Sequence, residues 1–217
     1  MNLFTPKKAV LNYDDEVCRE ASKQEILRRW YHTACEVRKG MVSQNALLKL
    51  ELLMIRLGIT CKDRPPVVPA LEKAELNGDK PAMAMELPDG RIVTGKTSDL
   101  LGASAAVLLN ALKAIAGVAE DVHVIAPEAI DPIQHLKVEH LGHRNPRLHT
   151  NEVLIALSIS AVTNPTAELA MEALASLRGS QVHSSVILSS VDEGMFKRLG
   201  MNVTFEPVYQ SHTLYHK

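Results

Sequence analysis

The stretch PAMAMELPDGRIVTGKTSDLLGAS, residues 81–104, decides how the chain is read. Its opening seven residues and the run Arg91–Gly95 are short and strand-like. Between them Pro88-Asp89-Gly90 is a turn, because proline presets φ and glycine accepts positive φ. Together they predict a β-hairpin. The same letters, from Gly90 to Thr97, satisfy the phosphate-loop pattern G-x-x-x-x-G-K-[ST]. The two readings conflict. A phosphate loop wraps its N–H groups around one anion, whereas Arg91-Ile92-Val93-Thr94 are strand formers. Extended, they separate the two glycines by about 13 Å. A partner strand ending in Asp is also missing, since VHVIAPE ends in Pro-Glu. The hairpin reading is the consistent one, and the ATPase inference goes with the loop. What survives is Gly95, Lys96, Thr97 and Ser98, read as the point where a strand runs into a helix over 98–116. Free N–H groups, a hydroxyl and an ammonium converge at such a point, which makes a candidate anion site. The plainer alternative is a capped helix with an exposed lysine.

N-terminal to this stretch, residues 1–12 read as an unstructured leader. Val17, Ala21, Ile26, Trp30, Ala34 and Val37 then recur at helical spacing. Gly40 ends that helix, Ser43 caps a second, and Gly58 closes it, giving a helical hairpin over 13–64. Pro65-Pro66 is a break. A short helix over 67–76 leads into the α/β domain, 65–210.

C-terminal to it, DVHVIA (121–126) and QVHSSVILS (181–189) read as strands, and MNVTFEP as the last one. Asp131-Pro132 opens a helix. Thr150 caps a helix over 151–163, Asn164-Pro165 starts another over 166–178, and Ser190 to Glu193 is a capping box. The expected fold is α/β, a mixed, mostly parallel sheet of about five strands with flanking helices, preceded by the hairpin. Residues 211–217 form a tail. Helices 98–116 and 151–163 are apolar or small nearly all round, which calls for burial on most sides, inside the domain or against a partner.

The segment IDPIQHLKVEHLGHRNPRLHTNE carries the other chemistry. Arg144, Arg147 and His149 precede the Thr150 cap, and arginine forks suit phosphate or carboxylate. With Lys96 they make one candidate anion pocket; the alternative is a solvated loop. No metal site is assigned. The nearest candidates are His135, Glu139 and His140, but His135 and His140 lie about 140° apart around an α-helix, so a loop ligand would be needed. His183 and Asp192 flank serines, yet no G-x-S-x-G elbow is present and the alternation reads as strand.

Composition narrows the classes. Lys+Arg 24 against Asp+Glu 25 leaves no basic excess, and aromatics at 4% leave few stacking platforms, so nucleic acid is not an expected partner. The longest uncharged runs fall short of a membrane span of about 20 residues, so no membrane partner is expected either. Cys18, Cys35 and Cys61 are widely spaced and fit reduced thiols in a cytoplasmic protein. No cofactor is indicated.

The runs DDEVCREASKQEILRRWY, ELPDGRIVTGKTSDLLGASAAVLLNALK, HLGHRNPRLHTNEVLIALSIS and SSVILSSVDEGMFKRLGMNVTFEPVY resemble the C-terminal half of the bacterial domain-of-unknown-function 1846 family, over roughly Asp14 to Tyr209. The resemblance implies members about twice this length, with a separate N-terminal α/β half that this chain would lack. It further offers that missing half as a partner, where the two apolar helices by themselves call equally for further copies in a homo-oligomer, and it carries no established activity onto any residue. Three functions follow as expectations: a domain that binds an anionic, for instance phosphorylated, small molecule and completes a site with another domain or subunit; an oligomerisation module; or a metal-dependent hydrolase.

Overall fold

A computed structural model describes residues 7–210, with side chains from Asp15. The chain divides into two compact units, Met1–Arg64 and Pro65–Lys217. The expected tail, 211–217, and the first half of the expected leader, 1–6, lie outside the described residues.

The first unit is a pair of helices, α1 (Lys7–Arg38) and α2 (Gln44–Leu57), followed by a 3-10 turn, Cys61–Asp63. Helix α1 begins at Lys7, so it takes in residues 7–12, expected to be unstructured. Gly58, with φ +63°, closes α2 by donating its N–H to the last carbonyls. The core is small: Leu27, Met54 and Ile59, with Ile26, Trp30 and Cys61 against them.

The second unit is built on a four-stranded sheet, β1 (Ala82–Glu86), β2 (Ile92–Lys96), β3 (Gln181–Ser184) and β4 (Asn202–Phe205), in the order β2-β1-β3-β4. β1 runs antiparallel to both β2 and β3, and only β3 and β4 are parallel. The sheet is therefore mixed, as expected, but it has four strands rather than about five and is not mostly parallel. The difference lies in DVHVIA. Val124 and Ile125 are buried, yet residues 121–126 run as turn and loop and pair with no strand.

The hairpin forms as its turn chemistry dictates. Gly90 takes φ +83° and donates to the Leu87 carbonyl, and Leu87 N–H bonds the Arg91 carbonyl at 2.8 Å. Helices α3 (Val67–Glu75) and α4 (Ala103–Ala116) both pack on this hairpin. Helix α4 comes so close that a Cβ on Gly95 would stand 2.2 Å from the Val107 nitrogen. The helix then fills the middle of the unit: Val107, Leu108 and Leu112 are fully buried among Met83, Met85, Val153 and Leu157.

Helix α4 starts at Ala103 with Gly102 as its cap, not at Ser98. Ser98 instead closes a tight loop, its Oγ accepting from Leu101 N–H at 3.1 Å and its N–H donating to the Leu101 carbonyl at 3.0 Å. Helix α5 (Pro127–His135) starts at Pro127 and carries Pro132 inside it, earlier than the Asp131-Pro132 start expected. It runs on into one π-helical turn, Leu136–His140. Helices α6 (Thr150–Ser160) and α7 (Pro165–Glu172) pack on α4, and α8 (Ser190–Arg198) packs on α6 and β4. The α8 cap is Ser189, whose Oγ accepts from Asp192 N–H, one residue before the box read from sequence. No helix among the described residues is long and apolar enough to cross a membrane.

Candidate functional site

The loops that precede α4 and α6 lie side by side. Leu101 and Leu148 form an isolated parallel bridge: Gly102 N–H donates to the Leu148 carbonyl at 3.1 Å, and Leu148 N–H to the Leu100 carbonyl at 3.0 Å. Arg147 reinforces this seam, its Nε donating to the Ser98 carbonyl at 2.5 Å and its Nη2 standing 3.9 Å from Asp99. Of the two segments singled out in the sequence, 144–149 thus meets 95–98 through one bond from the Arg147 side chain, and meets the residues that follow, 100–102, through backbone.

Beneath the seam is a buried polar network. Lys137, on the π-helical turn and 2% exposed, donates from Nζ to the Arg147 carbonyl at 2.6 Å and to Glu152 Oε2 at 2.7 Å. Glu152 Oε2 also accepts the His149 N–H at 2.8 Å, which satisfies one free amide at the start of α6. Asp192 satisfies another from across the unit: its Oδ1 accepts Thr150 N–H at 3.0 Å and Thr150 Oγ1 at 2.9 Å. Its Oδ2 lies 3.0 Å from His149 Nδ1 and accepts Ser189 Oγ at 3.2 Å.

The electrostatics follow from those contacts. The hydrogen bond to Asp192 raises the His149 imidazole above its ordinary value; burial pulls the other way, and the Asp192 charge adds to the rise. Burial pushes the Asp192 carboxyl up, but the bonds from His149 and Thr150 and the His149 charge outweigh it, and the net direction is down. The pair is held as imidazolium and carboxylate over a wider pH range than either group alone.

The residues predicted from sequence fall into different roles. Gly95 lies within β2, opposite Met83, and serves the close approach of α4 rather than a ligand. Lys96 ends β2 and is exposed. Thr97 ties back to the strand before it, its N–H donating to the Pro81 carbonyl at 3.0 Å. Lys96, Thr97 and Ser98 therefore precede a loop rather than sit at a helix N-terminus. Arg144 is exposed, Arg147 is half-buried, and His149 is the cap residue of α6. Asp192, read on sequence beside His183, pairs with His149 instead. His183 is fully buried in β3, with Nδ1 2.9 Å from Thr204 Oγ1 and Nε2 3.1 Å from Glu206 Oε1. Sequence reasoning missed Asp192, Lys137 and Glu152 as members of this network. Only Glu152 left a local signal, three residues after His149 as in a capping box.

The π-helical turn changes the metal reading as well. It underwinds the helix, so His135 and His140 come together with ring centroids 5.6 Å apart, not on well-separated faces. Among the described residues, however, no three His, Cys, Asp or Glu side chains gather as a metal site, so Glu139 does not complete a set.

Comparison with known proteins places this geometry in a family. Residues 62–215 match the domain of unknown function DUF1846, C-terminal, and residues 7–58 match its N-terminal domain. The second match corrects the expectation that the chain holds only the C-terminal half: the helical pair of the first unit is N-terminal-domain sequence, and a missing N-terminal domain is not the partner. A UPF0371 protein of Streptococcus pneumoniae is 54% identical over 204 residues, 94% of this chain and 41% of the relative. One of Streptococcus equi subsp. zooepidemicus is 52% identical over 202 residues, 93% of this chain and 41% of the relative. The chain thus spans about two fifths of the length of these curated relatives, whose names state no ligand or reaction. With most of its length matched, the chain belongs to the uncharacterised DUF1846 family.

Proposed function

We propose that the second unit binds an anionic small molecule, one bearing phosphate or carboxylate, at the seam between the 96–102 and 144–149 loops, within a site completed by another domain or subunit. The observation that carries this reading is the Arg147–Ser98 bond, which holds a guanidinium at the junction of both loops. Its Nη1 has no partner among the described residues. Arg144 is exposed beside it in sequence, and His149 is biased toward its cationic form. Lys96, Thr97 and Ser98 supply an ammonium and two hydroxyls from the other loop.

Titration calorimetry and thermal shifts with nucleotides and phosphorylated metabolites test the proposal. Arg144→Ala and Lys96→Ala should each weaken binding by about 1.5–3 kcal/mol if charge-assisted bonds form. No heat and no shift with any anion would remove it. A second reading, self-association, is favoured by one feature of α6. Ile155, Ile159 and Val162, at 58%, 66% and 81% exposure, form an apolar stripe along and just beyond the helix. Sedimentation as a monomer at micromolar concentration, unchanged by Ile159→Glu, would dismiss that reading.

A further inference from the structure

His149 and Glu152 form the capping box at the start of α6, and Asp192 Oδ1 serves the Thr150 amide there. The ring has a further contact beyond the helix: Nδ1 is fixed 3.0 Å from Asp192 Oδ2. The Asp192 side chain is 8% exposed and the His149 side chain 33%, so a buried carboxylate orients a ring that reaches solvent. Asp192 accepts from Thr150 N–H, Thr150 Oγ1 and Ser189 Oγ, which suits the ionised form. An ionised Oδ2 then selects the tautomer with the proton on Nδ1. Nε2 is left with its lone pair, and no described residue engages it. A carboxylate-oriented imidazole with a free Nε2 is the arrangement that serves proton transfer in unrelated hydrolases.

We propose that His149 and Asp192 form a proton-transfer dyad at the seam, with Nε2 as general base toward water and Asp192 as the positioning residue, and that the anion bound there is a phosphate ester that the dyad hydrolyses. This rests on the anion-binding reading above. In the step, Nε2 takes a proton from water as the water oxygen bonds to phosphorus. The ester P–O bond, in line on the far side of phosphorus, breaks with its electron pair on the departing oxygen, which takes a proton from solvent water, and the imidazolium releases its own proton to solvent. Alcohol and phosphate result, with nothing oxidised or reduced. The charged groups that face the ring are Asp192 from α8, Glu152 from α6 and Lys137 from the π-helical turn. The base form is populated as pH rises through the elevated His149 value, so the rate climbs over that range.

The test uses the whole chain, p-nitrophenyl phosphate as substrate and inorganic phosphate as ligand. The expected result is hydrolysis whose pH limb coincides with the His149 titration followed by imidazole NMR, with the neutral ring protonated on Nδ1. His149→Gln, which leaves the Asp192 bonds to Thr150 and Ser189 in place, should lower the rate by about a hundredfold or more. Asp192→Asn, if it folds by thermal melt, should move the limb to lower pH. A neutral ring protonated on Nε2, or turnover no greater than that of His149→Gln, overturns the dyad. If phosphate then still perturbs the Arg144 and Arg147 resonances, the anion site stands without it; if phosphate perturbs neither, both fall.

Discussion

A methyl group at position 95 would lie 2.2 Å from the Val107 nitrogen, 2.6 Å from its Cα and 2.8 Å from the Ala106 carbonyl carbon. All three are helix backbone, so relief requires α4 to move off β2. Gly95→Ala should therefore cost about 3 kcal/mol, read as a lowered urea midpoint. Gly90→Ala meets nothing within 4 Å and bears only the strain of its positive φ, about 1 kcal/mol. Two glycines that one motif joins thus separate by mechanism. The His149–Asp192 pair gives a second residue-level expectation. The folded value of His149 is raised, so its contribution is complete below the unfolded value of about 6.5 and is lost as pH rises through the folded one. The folded value of Asp192 is lowered, so its contribution is complete above about 3.9 and is lost as pH falls through the folded one. The urea midpoint of His149→Gln should fall furthest below that of the natural chain between about pH 4 and 6.5. Above the raised folded value of His149 the two should converge.

Elements whose signals are local were legible in the sequence. The hairpin, α3 and the Asn164-capped start of α7 follow from turn and cap residues within a few positions, and Asn164 Oδ1 does accept Thr166 N–H. DVHVIA reads as a strand because Val122, Val124 and Ala126 alternate, but Val122 and Ala126 are exposed and the buried residues are the neighbours Val124 and Ile125, on a segment that no sheet edge bonds. Ser98 reads as a cap because its side chain does accept a nearby N–H, but that bond closes a loop four residues ahead of the helix cap. The candidate site's contacts are only partly local. Arg144, Arg147 and His149 were found as a basic cluster, whereas Asp192 lies 43 positions beyond His149 and no local pattern links them. Lys137 joins the π-helical turn to α6 and to the seam by two short bonds. Lys137→Met keeps the stem's bulk but takes the ammonium from the Arg147 carbonyl and leaves Glu152 only the His149 N–H. It should cost about 3 kcal/mol in a thermal or urea melt. A loss under 1 kcal/mol would mean that water replaces the ammonium.

Across the whole molecule the two units differ in how much they bury. Among the described residues the first unit has a core cluster of Leu27, Met54 and Ile59, with Tyr31, Ala34, Cys35 and Leu47 also buried, and the second has a cluster running through its sheet and five of its helices. Apolar burial is the main favourable term, so the first unit should unfold at lower urea. The chain has one tryptophan, and Trp30 packs on that smaller core. Its fluorescence should change before far-ultraviolet ellipticity has lost most of its amplitude; coincident curves would show that the units unfold together.

The middle position of β1 has a consequence for synthesis. One side of β1 pairs at once with β2, but the other waits for β3, and Ala82 bonds Ser185 from 103 residues away. On a ribosome the AMAME strand emerges long before that partner does. At about 5–20 residues per second, its open edge persists for several seconds. Buried methionines and an unpaired strand edge are what holding chaperones and wrong neighbours recognise. A stop codon anywhere between residues 100 and 180 would leave that edge permanently unpaired, so such truncations should aggregate rather than persist as smaller folded domains.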